Sequence, residues 1–186
     1  SKDPITITLT DKFPNTNAFK HLKEKNNNQI EFLDDSIDAK NVPKDLKGLR
    51  TMFSAIHHFD PDTIIKILKN SVEHNAGICF FDGGDKNIFT IFGIIMFHPI
   101  AFLLCTPFFK PFKFSRLFFT YVIPLIPLTT VWDGCVSILR LYSHNELLGF
   151  AKQVEDNNYI WKSGKVRNKL GMNITYLIGY PNSNKE

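Results

Sequence analysis

The sequence predicts an α/β fold: a mostly parallel sheet with helices on its faces, closing at its C-terminal end with an antiparallel hairpin. Three observations carry that expectation. Strand-like and helix-like patterns follow one another through residues 5–85 in the order β, α, β, β, α, β, which argues for parallel strands covered by helices. Two strand-like runs near the C-terminus, YIWKSGKVR and GMNITYLIGYP, are joined by too few residues for a crossover, so they must pair antiparallel. Finally, 186 residues, 44% of them apolar and 22% charged, suffice for one domain (residues 1–186) with its own core.

The first run, ITITLTD, alternates β-branched residues and ends in Asp11. A turn at Pro14-Asn15 and a short helix from about Asn17 follow. QIEFLDD reads as a second strand, SIDAKNVP as a loop, and GLRTMFSAI as a third strand running into His57-His58. In DPDTIIKILKNSVEHN, Asp60 is the expected N-cap and Pro61 the first helical residue, with Ile64, Ile65, Leu68 and Val72 as the buried stripe. AGICFFDGGD is a fourth strand with a glycine stop. Further on, Ser143 followed three residues later by Glu146 predicts a capping box at the start of a helix.

Residues 87–132 depart from this pattern. The chain holds 18 phenylalanines, most of them between Phe80 and Phe119, and Asn87 to Phe109 carries no formal charge. Length and polarity alone make that stretch a candidate membrane span. Pro99 and Pro107, with His98 between the flanking apolar residues, argue against it, as do Pro124 and Pro127 in LFFTYVIPLIPLTTVW. The expectation is an apolar helical cap, cut by proline into pieces shorter than the roughly 20 residues a span needs. Lys110, Lys113 and Arg116 in KPFKFSR belong in water or at headgroups, so peripheral membrane contact is expected. Asp133 and Arg140, just after the Pro-rich apolar stretch, suggest a local ion pair or cap, with substrate orientation as the alternative.

Several function classes recede. The net charge of +4 is mild and its lysines and arginines are scattered, so no nucleic-acid partner is implied. Cys79, Cys105 and Cys135 are far apart and form no CxxC pair, which reads as small core residues in a reducing compartment. The segment SKDPITITLT has no secretory pattern, so a cytoplasmic, membrane-associated location is expected. The oligomeric state is not indicated.

His57 and His58 admit three readings: metal ligands, an acid/base pair, or residues at a loop edge. At the carboxyl end of a strand in an open sheet, side chains face the crevice where ligands bind. Successive residues leaving a strand point to opposite sides, so one of the two faces it. His21, His74, His98 and His144 offer no ligand spacing, so no metal site is expected. His57 is then a candidate general base, since histidine titrates near neutral pH, or a residue of the pocket wall.

A parallel α/β sheet that closes with a C-terminal antiparallel hairpin resembles the class I S-adenosylmethionine-dependent methyltransferase family, a Rossmann-like fold. ITITLTD looks like the family's second strand, whose terminal acid holds the cofactor ribose; the resemblance places that role on Asp11. SIDAKNVP looks like the loop that meets the adenine, which implies Asp38 and Ala39. RTMFSAIHHF looks like the fourth strand and its exit, which implies cofactor contacts at Phe53 and Ser54. YSHNELLGFAKQV and TYLIGYP match the last helix and strand. The family's glycine-rich turn after its first strand has no counterpart: only ten residues precede Asp11, and FDGGD follows the wrong strand. The chain thus resembles such a domain with its first strand missing. The implied activity is methyl transfer from S-adenosylmethionine to a small, hydrophobic acceptor. The alternative is a non-catalytic α/β module that binds a hydrophobic partner or membrane surface through residues 88–132.

Overall fold

The structure, a computed structural model, describes residues 5–26, 29–84, 86–154, 156, 158–169 and 171–182. Asp85 of the expected fourth-strand stop lies outside them. Strands β1 (Ile7–Leu9) and β2 (Ile30–Phe32) pair in parallel around helix α1 (Thr16–Lys25). Strands β3 (Arg50–Phe53), β4 (Ile78–Gly83), β5 (Tyr159–Arg167) and β6 (Asn173–Pro181) form a second sheet in the order β3-β4-β6-β5. Within it β3 and β4 are parallel, while β6 runs antiparallel to both β4 and β5. The fold is therefore mixed α/β, with the expected C-terminal hairpin. The mostly parallel single sheet is corrected: among the described residues there are two sheets, and the hairpin strand β6 enters beside β4, leaving only one parallel pairing in each.

Helix α2 (Pro61–Glu73) connects β3 to β4. Asp60 caps it, its Oδ1 accepting from the Thr63 N–H at 2.9 Å, and Pro61 takes a first-turn position where no N–H is needed. The buried stripe is Ile64, Ile67, Leu68 and Ser71, at i, i+3, i+4 and i+7. The sequence reading placed Ile64 and Leu68 in it correctly, but Ile65 and Val72, which it added, are half-buried. Helix α6 (His144–Lys152) begins with the expected capping box: Ser143 Oγ accepts from the Glu146 N–H, and Glu146 Oε2 accepts from the Ser143 N–H at 2.8 Å. Ile64, Ile67 and Leu68 of α2, Leu147 and Ala151 of α6, and Ile78, Phe80 and Leu177 of the sheet share one core.

Between β4 and α6 the chain leaves this core. Helix α3 (Ile88–Cys105) continues in a 3-10 turn, Thr106–Phe108. After a turn come α4 (Phe114–Leu117), a π-helical turn at Phe118–Val122, and α5 (Leu125–Arg140). The expected division by proline is corrected at its most important position, because α3 runs straight through Pro99. Proline deletes one backbone bond from a helix, and the leucine, methionine and alanine around it are good helix formers. The chain does break at Pro124, where the 114–122 segment and α5 meet at 76°. Cys79 is buried as expected, whereas Cys105 is exposed on α3. Asp133 and Arg140 make no ion pair with each other among the described residues.

Candidate functional site

The carboxyl ends of the parallel strands carry the candidate residues. β3 stops at Phe53, earlier than the sequence suggested. Ser54 takes a left-handed conformation (φ 49°) and its N–H donates to the Phe81 carbonyl at 2.8 Å. That reversal throws the chain into a 3-10 turn at Ile56–His58, so His57 and His58 sit in a turn and not on a strand. Ile56, fully buried, anchors the turn in the core.

Asp82 meets this turn from β4. Its carboxylate is 1% exposed, and it accepts from the His57 N–H at 3.1 Å. The His57 imidazole Nδ1 lies 2.9 and 3.0 Å from its two oxygens. A carboxylate only accepts hydrogen bonds, so Nδ1 carries the shared hydrogen. His58 stacks obliquely on His57, with ring centres 4.2 Å apart. This is an oriented imidazole backed by a buried acid, the arrangement that sets a histidine as proton acceptor. Sequence reasoning reached His57 and missed Asp82. A signal was present: ICFFDG places a carboxylate in an otherwise apolar buried strand, and a buried charge requires a partner.

The other predicted residues are grouped differently. Asp11 Oδ1 accepts from the Phe13 N–H at 2.7 Å, a local turn that leaves its second oxygen unengaged among the described residues. Asp38 caps the turn Ala39–Asn41 through the Lys40 N–H and pairs with Lys12 at 2.9 Å. The Lys40 amide and the Lys12 ammonium hold its carboxyl below the ordinary carboxylate range. The Ile37 N–H donates to the Asp11 carbonyl, so Asp11 and Asp38 are neighbours. Ala39 packs against the main core, which ties the β1–β2 unit to α2. Phe53 is 68% exposed and stacks on Phe81 at 5.2 Å. Among the described residues no hydrogen bond or ion pair joins Asp11 or Asp38 to His57. The geometry therefore contains two clusters, Asp11–Asp38 and His57–Asp82, with Phe53 and Ser54 on the His57 side.

A cleft of about 480 Å³ opens beyond β4, lined by Gly84, Asn87, Tyr142, Glu146, Lys165 and Thr175 among others. Neither His57 nor Asp82 lines it. The two places are linked through Tyr142, whose hydroxyl donates to the Phe59 carbonyl at 2.9 Å, and through Thr175, the register partner of Asp82. Burial, reinforced by the charges of Asp60 and Glu146, raises the Tyr142 phenol, so it stays a donor. Among the described residues no group of three metal-ligating side chains occurs.

No family model and no curated protein matches the chain. Among solved structures it is similar to the pyocyanin biosynthetic protein PhzM, at 10% identity and a TM-score of 0.44, over 87% of this chain. The chain spans 38% of that protein's length. A likeness of that grade decides neither fold nor function.

Proposed function

We propose that this chain forms most of an S-adenosylmethionine-dependent methyltransferase domain acting on a small lipophilic acceptor. The observation that supports the reading is the placement of the candidate residues. Asp11 follows β1, Asp38 follows β2, and Phe53 and Ser54 stand at the end of β3, as the family resemblance implies for a crevice at the carboxyl ends of parallel strands; Asp82, near the end of β4, is added to them by its contact with His57. The antiparallel hairpin docked on β4 agrees with it.

The free edges agree as well. Among the described residues β1 pairs only with β2, and β3 only with β4. Ile7 on β1, and Leu49 and Phe53 beside the β3 edge, are exposed. Bare apolar edges are usually covered or blunted. A further strand seated between β1 and β3 would join both sheets and bring the glycine-rich turn to Asp11.

S-adenosylmethionine, when bound, supplies a sulfonium-activated methyl group. Asp11 fits a ribose diol, because one carboxylate oxygen remains for a second hydrogen bond. Asp38 fits an adenine amino group less well, since Lys40 and Lys12 already engage its oxygens. His57, held by Asp82, would take the proton of a hydroxyl or amine acceptor as that atom attacks the methyl carbon in line.

The test uses the whole native protein. Calorimetric titration with S-adenosylmethionine should show binding, and Asp11→Ala should weaken it by about 1.5–3 kcal/mol, the scale of a charge-assisted hydrogen bond. Equal affinities remove Asp11 from the site. No binding by the wild type ends the proposal.

A further inference from the structure

The α3–α5 hairpin has a surface suited to hydrocarbon. Ile88–Phe108 is a continuous helical stretch of 21 residues, and no residue of α3 is buried. At 1.5 Å per residue it is about 31 Å long, matching a hydrocarbon layer of about 30 Å. A core helix of this composition would be enclosed by protein, and a one-sided lid would show a polar outer face. α3 does neither. Its inner face packs on α5, where Ile94 lies 3.2 Å from the position a Gly134 Cβ would occupy. Its outer face presents Phe89, Phe92, Met96, Phe97 and Leu104, all exposed.

The hydroxyls and the bend of the hairpin are also treated as hydrocarbon requires, although His98 Nδ1, inside α3, is buried without a partner among the described residues. The hydroxyls of Thr106, Thr120 and Tyr121 donate to the carbonyls of Phe102, Arg116 and Leu103 at 2.6, 2.8 and 2.5 Å. Thr129 and Thr130 donate to Leu125 and Ile126 at 2.8 and 2.9 Å. At the bend the Ile123 N–H reaches the Phe118 carbonyl at 3.0 Å, the Leu125 N–H reaches Ile123, and Pro124 has no N–H to satisfy. A backbone break is tolerated in a bilayer only when its polar groups are satisfied in this way. The basic residues Lys110, Lys113 and Arg116 gather at the turn beyond α3, where a span would place them among headgroups. Asp133 is the single acid from Asn87 to Arg140, and Trp132 beside it is exposed as an interfacial aromatic would be.

We propose that this hairpin is embedded in a lipid bilayer, with α3 crossing the hydrocarbon, the Lys110–Arg116 turn at anionic headgroups, and the α/β core seated on the opposite surface. The occupant of the apolar face is lipid, in place of a closed cap. The turn bearing His57 packs against α5, so the His57–Asp82 pair lies at the base of the hairpin, where a lipid-dissolved molecule would arrive. The inference rests on the hairpin alone and survives failure of the methyl-transfer reading.

Three measurements on the whole chain test it. Synthesised in the presence of phosphatidylcholine vesicles containing an anionic lipid, the protein should float with them and stay bound through high salt and alkaline carbonate. Recovery as a soluble species, or release by either wash, overturns the proposal. In the same vesicles Cys105 should resist a membrane-impermeant maleimide until denaturation, because lipid covers it; in water it is exposed. Labelling of Cys105 before denaturation overturns it. Phe97, 70% exposed near the middle of the span, provides the variant. Phe97→Lys would be tolerated on a surface facing water, but here it should cut the floated fraction several-fold. Unchanged flotation overturns the proposal.

Discussion

At the scale of single residues the decisive arrangement is Asp82 beneath His57. A carboxylate that is 1% exposed and shares both oxygens with one imidazole orients the ring and places the shared hydrogen on Nδ1. Asp82→Asn retains shape and an acceptor for the His57 N–H, but removes the charge that stabilises a protonated ring. Methyl transfer should fall by about 10²–10⁴-fold, the usual range for losing acid–base assistance. The loss should appear in kcat with S-adenosylmethionine binding unchanged, while circular dichroism stays unchanged. A wild-type kcat in the variant would reduce the pair to a structural contact. His57 was legible because paired histidines after an apolar run stand out. Asp82 was legible only as a charge in an apolar strand that needed a partner; which partner was not, because His57 lies 25 residues away and the parallel pairing of β3 with β4 brings them together.

At the scale of elements, local rules predicted helix starts better than strand ends. Asp60-Pro61 and Ser143–Glu146 state their caps in adjacent residues, and both form. The strand GLRTMFSAI could not reveal its early stop, because the reversal at Ser54 uses a left-handed conformation without glycine. The stripe of α2 held at Ile64 and Leu68 and failed at Val72, because its neighbour Ser71 is buried although polar, its hydroxyl donating to the Ile67 carbonyl. The capping box makes a quantitative prediction. Ser143→Ala should cost about 1 kcal/mol at neutral pH. The Ser143 amide and hydroxyl hold the Glu146 carboxyl below its ordinary value. Its folded pKa is thus depressed, so its stabilisation is present above the unfolded carboxylate range and lost as pH falls through the folded value. The wild-type advantage over Ser143→Ala, read from urea melts, should shrink in acid. A gap that widens in acid would contradict the assignment.

At the scale of the molecule, the sheets and the hairpin are separable. Composition marked residues 87–132 as different, but it could not show that the helix persists through Pro99 or that its outer face stays uncovered, since both depend on what packs against it. The ends of the excursion meet: Leu141 and Ile138 lie 3.2 and 3.4 Å from the position of a Gly84 Cβ, and Gly84 adopts φ +106° to pass them. A chain segment that leaves and returns at one point can be removed without parting the strands it connects. Replacing Asn87–Arg140 by a short glycine-serine linker keeps β4, Leu141, Tyr142 and α6 in place. The loss to the core is mainly Ile138, worth about 1.5–3 kcal/mol for one buried side chain. The shortened protein should therefore dissolve without detergent, unfold cooperatively in urea, and keep the Tyr142–Phe59 and His57–Asp82 contacts, visible as protected amides at Ile56–Phe59. A non-cooperative melt would mean that the hairpin belongs to the core after all. Cooperative melting together with a continued need for detergent would locate the membrane-seeking surface elsewhere, on the bare edges of β1 and β3.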